Sequence, residues 1–287
     1  MRIKKSPSKN EYIRAGDVWV RNFTKPNVRP YNISHMYSPE EHKVLMANEV
    51  KNKSFAKISD EQLHMEKVII VSDGHSFQWK HLCLAKFPSD VFIMAINRAL
   101  RNWRLMSEDW GKNKRPINAY VANNPFPQIL SCLPNHFYFP SCIASSRTNF
   151  EFLKQYSGNR HVYEPALEKV FGTEKQERYF IDDYRNPICA AIGLAYRFGV
   201  KELMLVSCDD SFPKKKDGAE QLPNGLWTYP QHLRAQEIID ANLYWLTHQE
   251  ERKIKVADWS DGMKYTNAAY ISSEEEAISF FTEEGTS

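Results

Sequence analysis

Neither a Cys-x-x-Cys pair nor a His-x3–5-His companion accompanies the five cysteines of this 287-residue chain, Cys83, Cys132, Cys142, Cys189 and Cys208. Their odd number and irregular spacing speak against a zinc site and a disulfide framework, so a reducing compartment is the simplest setting. No run approaches the 18 apolar residues that a membrane-spanning helix needs. The opening "MRIKK" is followed by "SPSKNEYIRAG" where a signal peptide would carry its apolar region. A cytoplasmic protein with no membrane partner is therefore expected, and the sequons at Asn22, Asn32 and Asn52 are then silent. The patterns G-x-x-x-x-G-K-[ST], H-E-x-x-H and G-x-S-x-G are missing too, which leaves a P-loop kinase, a zincin and an α/β-hydrolase without support. There is no internal repeat and no low-complexity stretch.

Charge is nearly balanced, at +3 with a pI near 8.4, too mild to demand an anionic partner. Basic residues nevertheless cluster at Arg98/Arg101/Arg104, at Lys112/Lys114/Arg115 and at Lys214/Lys215/Lys216. A lysine run in a loop is ordinarily solvated; the sharper reading is contact with phosphate. Residues 1–66 are polar, interrupted by Pro26, Pro30 and Pro39, and read as an N-terminal extension packed on a later core. Within them "SPEEHKVLMANEV" predicts a short helix capped by Ser38 with Pro39 at its first position. Residues 67–287 read as one nucleotide-binding catalytic domain.

In that domain "VIIV" (68–71), "VFIMAI" (91–96), "INAYVA" (117–122), "HFYF" (136–139) and "ELMLVS" (202–207) are short apolar runs without alternation. Helical patterns at 78–87, 97–107, 147–156 and 187–198 separate most of them. Strands buried on both faces and alternating with helices predict a mostly parallel sheet, that is, a Rossmann-like three-layer α/β domain. A long helix over 228–251, a strand at 253–257 and a last helix near 273–282 complete the expected elements.

Ligands of open parallel sheets sit beyond the carboxyl ends of the strands, where helix N-termini present free N–H groups. "SDGHS" (72–76) lies at such an end. Gly74 is expected to let the backbone approach a ligand, so that a β-branched residue there would block binding and leave the fold intact. Ser76 is expected to cap the next helix and face an anion. An ordinary βα turn is the plainer alternative.

Taken together, "VIIVSDGHSFQWKHL", "FIMAINRAL", "NPICAAIGLAYRFGVKELMLVSCDDSF" and "VADWSDGMKYTNAAYIS" resemble the motility accessory factor and 6-hydroxymethylpterin pyrophosphokinase-like family, which is related to the bacterial sialyltransferase fold. The resemblance covers about residues 67–281. It implies that Ser72, Gly74 and Ser76 form a nucleotide-phosphate loop and that Asn97 ends the second strand; Asp73, within the loop, stands where a small residue is usual, and Arg98 beside Asn97 is a candidate to neutralise the phosphate. It places Asp209 on the aspartate of the family's "GxDLxF" turn. His75 stands where proline is usual, and Asn123 and Asn124 stand where many relatives carry an aspartate. An amide is a poorer ligand than a carboxylate for a hard cation. That favours transfer from a nucleotide-sugar donor without a tightly bound metal over the alternative, a pyrophosphokinase using ATP and magnesium. A non-catalytic nucleotide- or nucleic-acid-binding module is the third reading.

Glycosyl transfer needs a cradle for the leaving phosphate, neutralisation of its charge and a base for the acceptor hydroxyl. His232, Asp209 and His75 are the candidates for the base, and the choice among them is open at this point. His232 follows a long polar loop of the kind that closes over substrate. Asp182-Asp183 suggests a metal pair, but adjacent side chains point apart in extended chain and an acidic turn is the simpler reading. The acceptor is expected to be a protein serine or threonine, or a hydroxymethylated base in phage DNA. In the DNA case Lys214, Lys215 and Lys216 would contact phosphates, Trp227 and Tyr229 would stack on a displaced base, and the basic clusters would surround one cleft mouth.

Overall fold

A computed structural model describes residues 12–15, 18–21, 38–58, 64–105, 115–134, 139–165, 180–181, 186–222, 224–248, 252–262 and 264–282. The first described elements are an antiparallel hairpin of β1 (Tyr12–Ala15) and β2 (Val18–Arg21), helix α1 (Pro39–Asn52) and strand β3 (Ala56–Lys57). The α1 start is a capping box: the Glu41 N–H donates to Ser38 Oγ at 3.2 Å, and the Ser38 N–H donates to the Glu41 carboxylate at 2.8 Å.

Strands and helices then alternate through β4 (Lys67–Val71), α2 (Phe77–Cys83), β5 (Phe92–Ile96), α3 (Ala99–Leu105), β6 (Ala119–Ala122), a 3₁₀ segment at Pro127–Cys132, β7 (Ser141–Ser145), α4 (Phe150–Gln155) and β8 (Arg160–Pro165). After β9 (Phe180–Ile181) come α5 (Pro187–Arg197), β10 (Glu202–Val206), a small hairpin of β11 (Glu220–Gln221) and β12 (Trp227–Thr228), and α6 (Pro230–Thr247). The chain closes with β13 (Lys255–Trp259), β14 (Ala269–Tyr270) and α7 (Glu274–Ser279). Nine strands run in the order β14-β13-β10-β4-β5-β6-β7-β8-β3, with β9 pairing separately on β8, and every one of these pairings is parallel.

The apolar runs explain the three layers. In β4 the side chains of Val68 and Ile70 join a core with α5 and α6, while Ile69 and Val71 join a second core with α2, α3, α4 and α7. A strand with an apolar partner layer on each face has no reason to alternate. The edge beyond β8 is built by the segment before residue 67. There β3 pairs with β8, and the buried amides of Asn48 and Asn52 donate to the carbonyls of Pro125, Ser146, Arg147 and Thr148.

One expectation changes. Residues 136–138 of the anticipated "HFYF" strand lie outside the described residues, and Phe139 is not in a strand but sets its ring against Tyr156 at 5.0 Å. The strand of that region is instead β7, "SCIAS", whose small side chains make room for the large Phe152 and Tyr156 near α4. Among the described residues no helix is long and apolar enough to cross a membrane.

Beyond β4 the chain steps outward through β5, β6, β7 and β8. It then returns through α5 to β10 on the opposite side of β4. This reversal opens a crevice at the carboxyl ends of β4 and β10.

Candidate functional site

The elbow after β4 cradles an anion, and that anion belongs to the chain itself. Asp209, fully buried after β10, accepts the Ser76 N–H at 2.7 Å and His75 Nδ1 at 3.1 Å on Oδ2. Its Oδ1 accepts Ser76 Oγ at 2.9 Å and the Asp261 N–H at 2.8 Å. Ser76 therefore turns inward and places no side-chain cap on α2, contrary to the expectation that it faces a ligand. Gly74 is likewise needed for this internal contact. Its N–H donates to the Ser207 carbonyl at 3.0 Å, and a Cβ there would overlap that oxygen and Asp209 Oδ2 and stand 2.7 Å from Asp209 Cγ. Gly262 packs equally closely from the turn after β13, where a Cβ would overlap the Asp209 carbonyl. A side chain at residue 74 thus strikes the fold before it meets any ligand.

Above this buried carboxylate lies a cleft of about 690 Å³, within the range of small-ligand sites. Asp73, Gly74 and His75 come to it from the β4 elbow, and Asn97 and Arg98 from the end of β5. Tyr120 to Asn124 enter from β6, with a wall from the 3₁₀ segment that includes Gln128 and Cys132. Pro187 at the start of α5, Ser211, Phe212 and Lys216 after β10, and Tyr229 and His232 at the start of α6 complete it. Three non-glycine residues with left-handed backbones, Asn97 (φ 53°), Ser207 (φ 54°) and Asp210 (φ 45°), stand at the ends of β5 and β10. Such strain is held where surrounding bonds fix it. For Asn97 these are Nδ2 donating to Ser72 Oγ at 3.2 Å and the Tyr120 hydroxyl donating to its carbonyl at 2.9 Å.

Both histidines hang on the segment after β10. His75 Nδ1, besides meeting Asp209, lies 3.2 Å from the Ser211 carbonyl, and His232 Nδ1 lies 3.1 Å from the Asp210 carbonyl. A carbonyl accepts only from N–H, so Nδ1 carries the proton in each ring and Nε2 is the basic nitrogen. Two buried polar groups at the cleft have no protein partner among the described residues: Asn123 Nδ2 (residue 6% exposed) and Ser211 Oγ (7%). Buried donors are ordinarily satisfied, so both are positions open to an acceptor from a ligand.

Burial shapes the nearby carboxyls. It raises Asp73 above the usual carboxylate range, against the opposing pull of hydrogen bonds from the backbone N–H groups of Asp73 itself and Arg98 and of the Arg98 charge. Burial also pushes Asp210 up to about 7, although the Tyr265 hydroxyl bonds Oδ2 at 3.3 Å. Asp258 on β13, 1% exposed, is pushed up to about 7 by burial as well.

Of the residues singled out in the sequence, His75, His232, Asp73, Gly74, Asn97 and Arg98 meet in the cleft, as do Asn123, Asn124, Lys216 and Tyr229. Ser72, Ser76 and Asp209 do not line it and work from behind. Lys214, Lys215 and Trp227 stay outside it, and Lys215 Nζ sits over the Trp227 ring at 5.3 Å. Ser211 and Tyr120 were not anticipated; the cue for Ser211 was its place two residues after Asp209 in the same polar turn. Lys112, Lys114, Asp182 and Asp183 fall outside the described residues. Arg115 donates to the carbonyls of Phe87 and Val91, at the amino end of β5, whereas Arg98 follows its carboxyl end. Arg115 and Arg98 therefore stand at opposite ends of β5, and nothing among the described residues supports a DNA acceptor.

No protein-family profile and no curated protein matches the chain. Among solved structures it is similar to the MAf glycosyltransferase from Magnetospirillum magneticum AMB-1, with a TM-score of 0.60 and 13% sequence identity over 84% of this chain. The match spans 41% of that protein, so this chain corresponds to under half of its length. At that identity the likeness establishes the shared fold.

Proposed function

We propose that this chain is a glycosyltransferase that moves a sugar from a nucleotide-sugar donor to an acceptor hydroxyl. The observation that carries the reading is the cleft at the strand-order reversal, where a carboxylate-backed histidine faces the same space as two unpartnered buried donors. The fold shared with a glycosyltransferase supports it.

Asp209 has no exposure and all its bonds are made inside the protein, so it positions rather than reacts. It holds the Nδ1 proton of His75 and stabilises the imidazolium that forms during transfer. His75 Nε2 takes the proton of the acceptor hydroxyl. The acceptor oxygen bonds to the anomeric carbon, the bond from that carbon to the phosphate oxygen breaks, and its electron pair leaves on the phosphate. Asn123 offers a donor N–H where a metal site would need an oxygen, so it binds a carbonyl or hydroxyl oxygen of the donor and transfer proceeds without a tightly held cation.

A panel of nucleotide sugars, incubated with the protein in EDTA and assayed for released nucleotide, tests this. One donor is consumed, and His75→Gln lowers kcat by about 10²-fold or more with a smaller change in KM. Turnover that stops in EDTA and returns with magnesium and ATP would assign the pyrophosphokinase chemistry instead. Binding of nucleotides with no turnover would make the chain a binding module.

A further inference from the structure

The elbow that the strand pattern marks as the phosphate cradle is already filled by Asp209, which leaves open where a phosphate would sit. We infer that the phosphate subsite lies on the segment joining β10 to α6, with Ser211 Oγ, His232 Nε2 and Lys216 Nζ as its donors. This rests on the cleft being a nucleotide-sugar site, and it reassigns the anion within that cleft.

Ser211 is 7% exposed, lines the cleft, and its Oγ has no partner among the described residues. A buried hydroxyl without an acceptor costs about 1–3 kcal/mol, which an arriving phosphate oxygen recovers. The His232 ring is fixed by its Nδ1 bond to the Asp210 carbonyl and by the Tyr229 ring, which stands perpendicular to it with centroids 5.4 Å apart, so Nε2 is held in one direction. Protonated at Nε2, that ring becomes a cationic donor. Lys216 is exposed at the mouth but not free to wander, because Nζ rests over the Phe212 ring at 4.4 Å. Phe212 packs in turn on Tyr229 at 5.2 Å. The Phe212 backbone is clamped to Trp227 by two hydrogen bonds of 2.8 Å, so the three donors share one braced unit. The left-handed turn at Asp210 sets the direction of Ser211. The β6 wall of the cleft offers neutral groups instead, Tyr120 and Asn123, suited to a sugar or base.

Inorganic pyrophosphate is the probe, titrated into the full chain by calorimetry, with unchanged melting temperature as the control for each variant. Wild type binds it at millimolar or lower concentration. Ser211→Ala, His232→Gln and Lys216→Gln each weaken it by about five- to tenfold, while Lys214→Ala, which is exposed and outside the cleft, binds within about twofold of wild type. Absence of binding up to ~10 mM in wild type overturns the subsite. So does equal binding by the folded Ser211 and His232 variants. The two claims fail separately: pyrophosphate bound in a Ser211-dependent way with no nucleotide sugar consumed keeps the subsite and removes the glycosyltransferase. Donor turnover insensitive to Ser211, His232 and Lys216 does the reverse.

Discussion

Replacing Gly74 by alanine adds one methyl group at the most crowded point of the molecule. Its Cβ would overlap the Ser207 carbonyl oxygen and Asp209 Oδ2, neither of which is the far end of a flexible side chain. Ser207 is held by its left-handed backbone and by its N–H bond to the Trp259 carbonyl, and the Asp209 carboxylate is fixed from four directions. Overpacking of this kind costs about 1–3 kcal/mol. If the elbow lifts away instead, it breaks the Gly74 N–H bond to Ser207 and strains the charge-assisted Ser76 bond to Asp209, worth ~1.5–3 kcal/mol. By either route the expected loss is about 2–4 kcal/mol, or a melting temperature lower by roughly 3–7 °C for a chain of this size. The comparison is Gly218→Ala, where nothing lies within 4 Å of the added Cβ and only the φ of +76° is unfavourable, at ~1–2 kcal/mol. Thermal melts followed by circular dichroism measure both. A Gly74→Ala protein melting within ~2 °C of wild type would refute the claim that the elbow exists to enclose Asp209.

Two further outcomes concern stability. The Asp258 carboxyl is raised by burial from 3.8 to about 7, so the folded state keeps a proton that the unfolded chain has released; stability from this group is greatest below about pH 4 and falls as pH climbs to about 7. A three-unit gap is at most about 4 kcal/mol, so in urea titrations at pH 5 and pH 8 Asp258→Asn should lose less stability between the two than wild type does, and equal losses would remove the assignment. Ser38→Ala deletes the capping box of α1 and is expected to cost about 1 kcal/mol in urea unfolding, with no change in the cleft; a neutral result would show that α1 is held by its packing alone.

The layers were legible because buried parallel strands carry continuous apolar runs: those at 68–71, 91–96, 117–122 and 202–207 contain most or all of β4, β5, β6 and β10 of the central sheet. Strand β7 was not, because Cys142 and Ala144 are the small side chains of its face toward the large rings near α4 and serines flank them, and small residues carry no periodic signal. The elbow was legible as a special place but not in its purpose. Gly74 and Asp209 are far apart in sequence, and only the parallel pairing of β4 with β10 brings the glycine onto that carboxylate. The histidines were visible as residue types. That Asp209 backs His75 while a backbone carbonyl backs His232 required the two loops to meet in space. Arg115 looked like part of a basic patch, yet it braces the turn before β5 at the far end of the strand.

The central claim, that the cleft above Asp209 holds a nucleotide sugar, is tested most directly by a crystal structure of the full chain soaked with the donor it turns over or a non-transferable analogue. The account predicts the ligand in this cleft, with phosphate oxygens on Ser211 Oγ and His232 Nε2, an oxygen acceptor on Asn123 Nδ2, and the anomeric carbon facing the side on which His75 Nε2 stands. A ligand bound elsewhere on the surface, or one in the cleft that leaves Asn123 Nδ2 and Ser211 Oγ without partners, would contradict it.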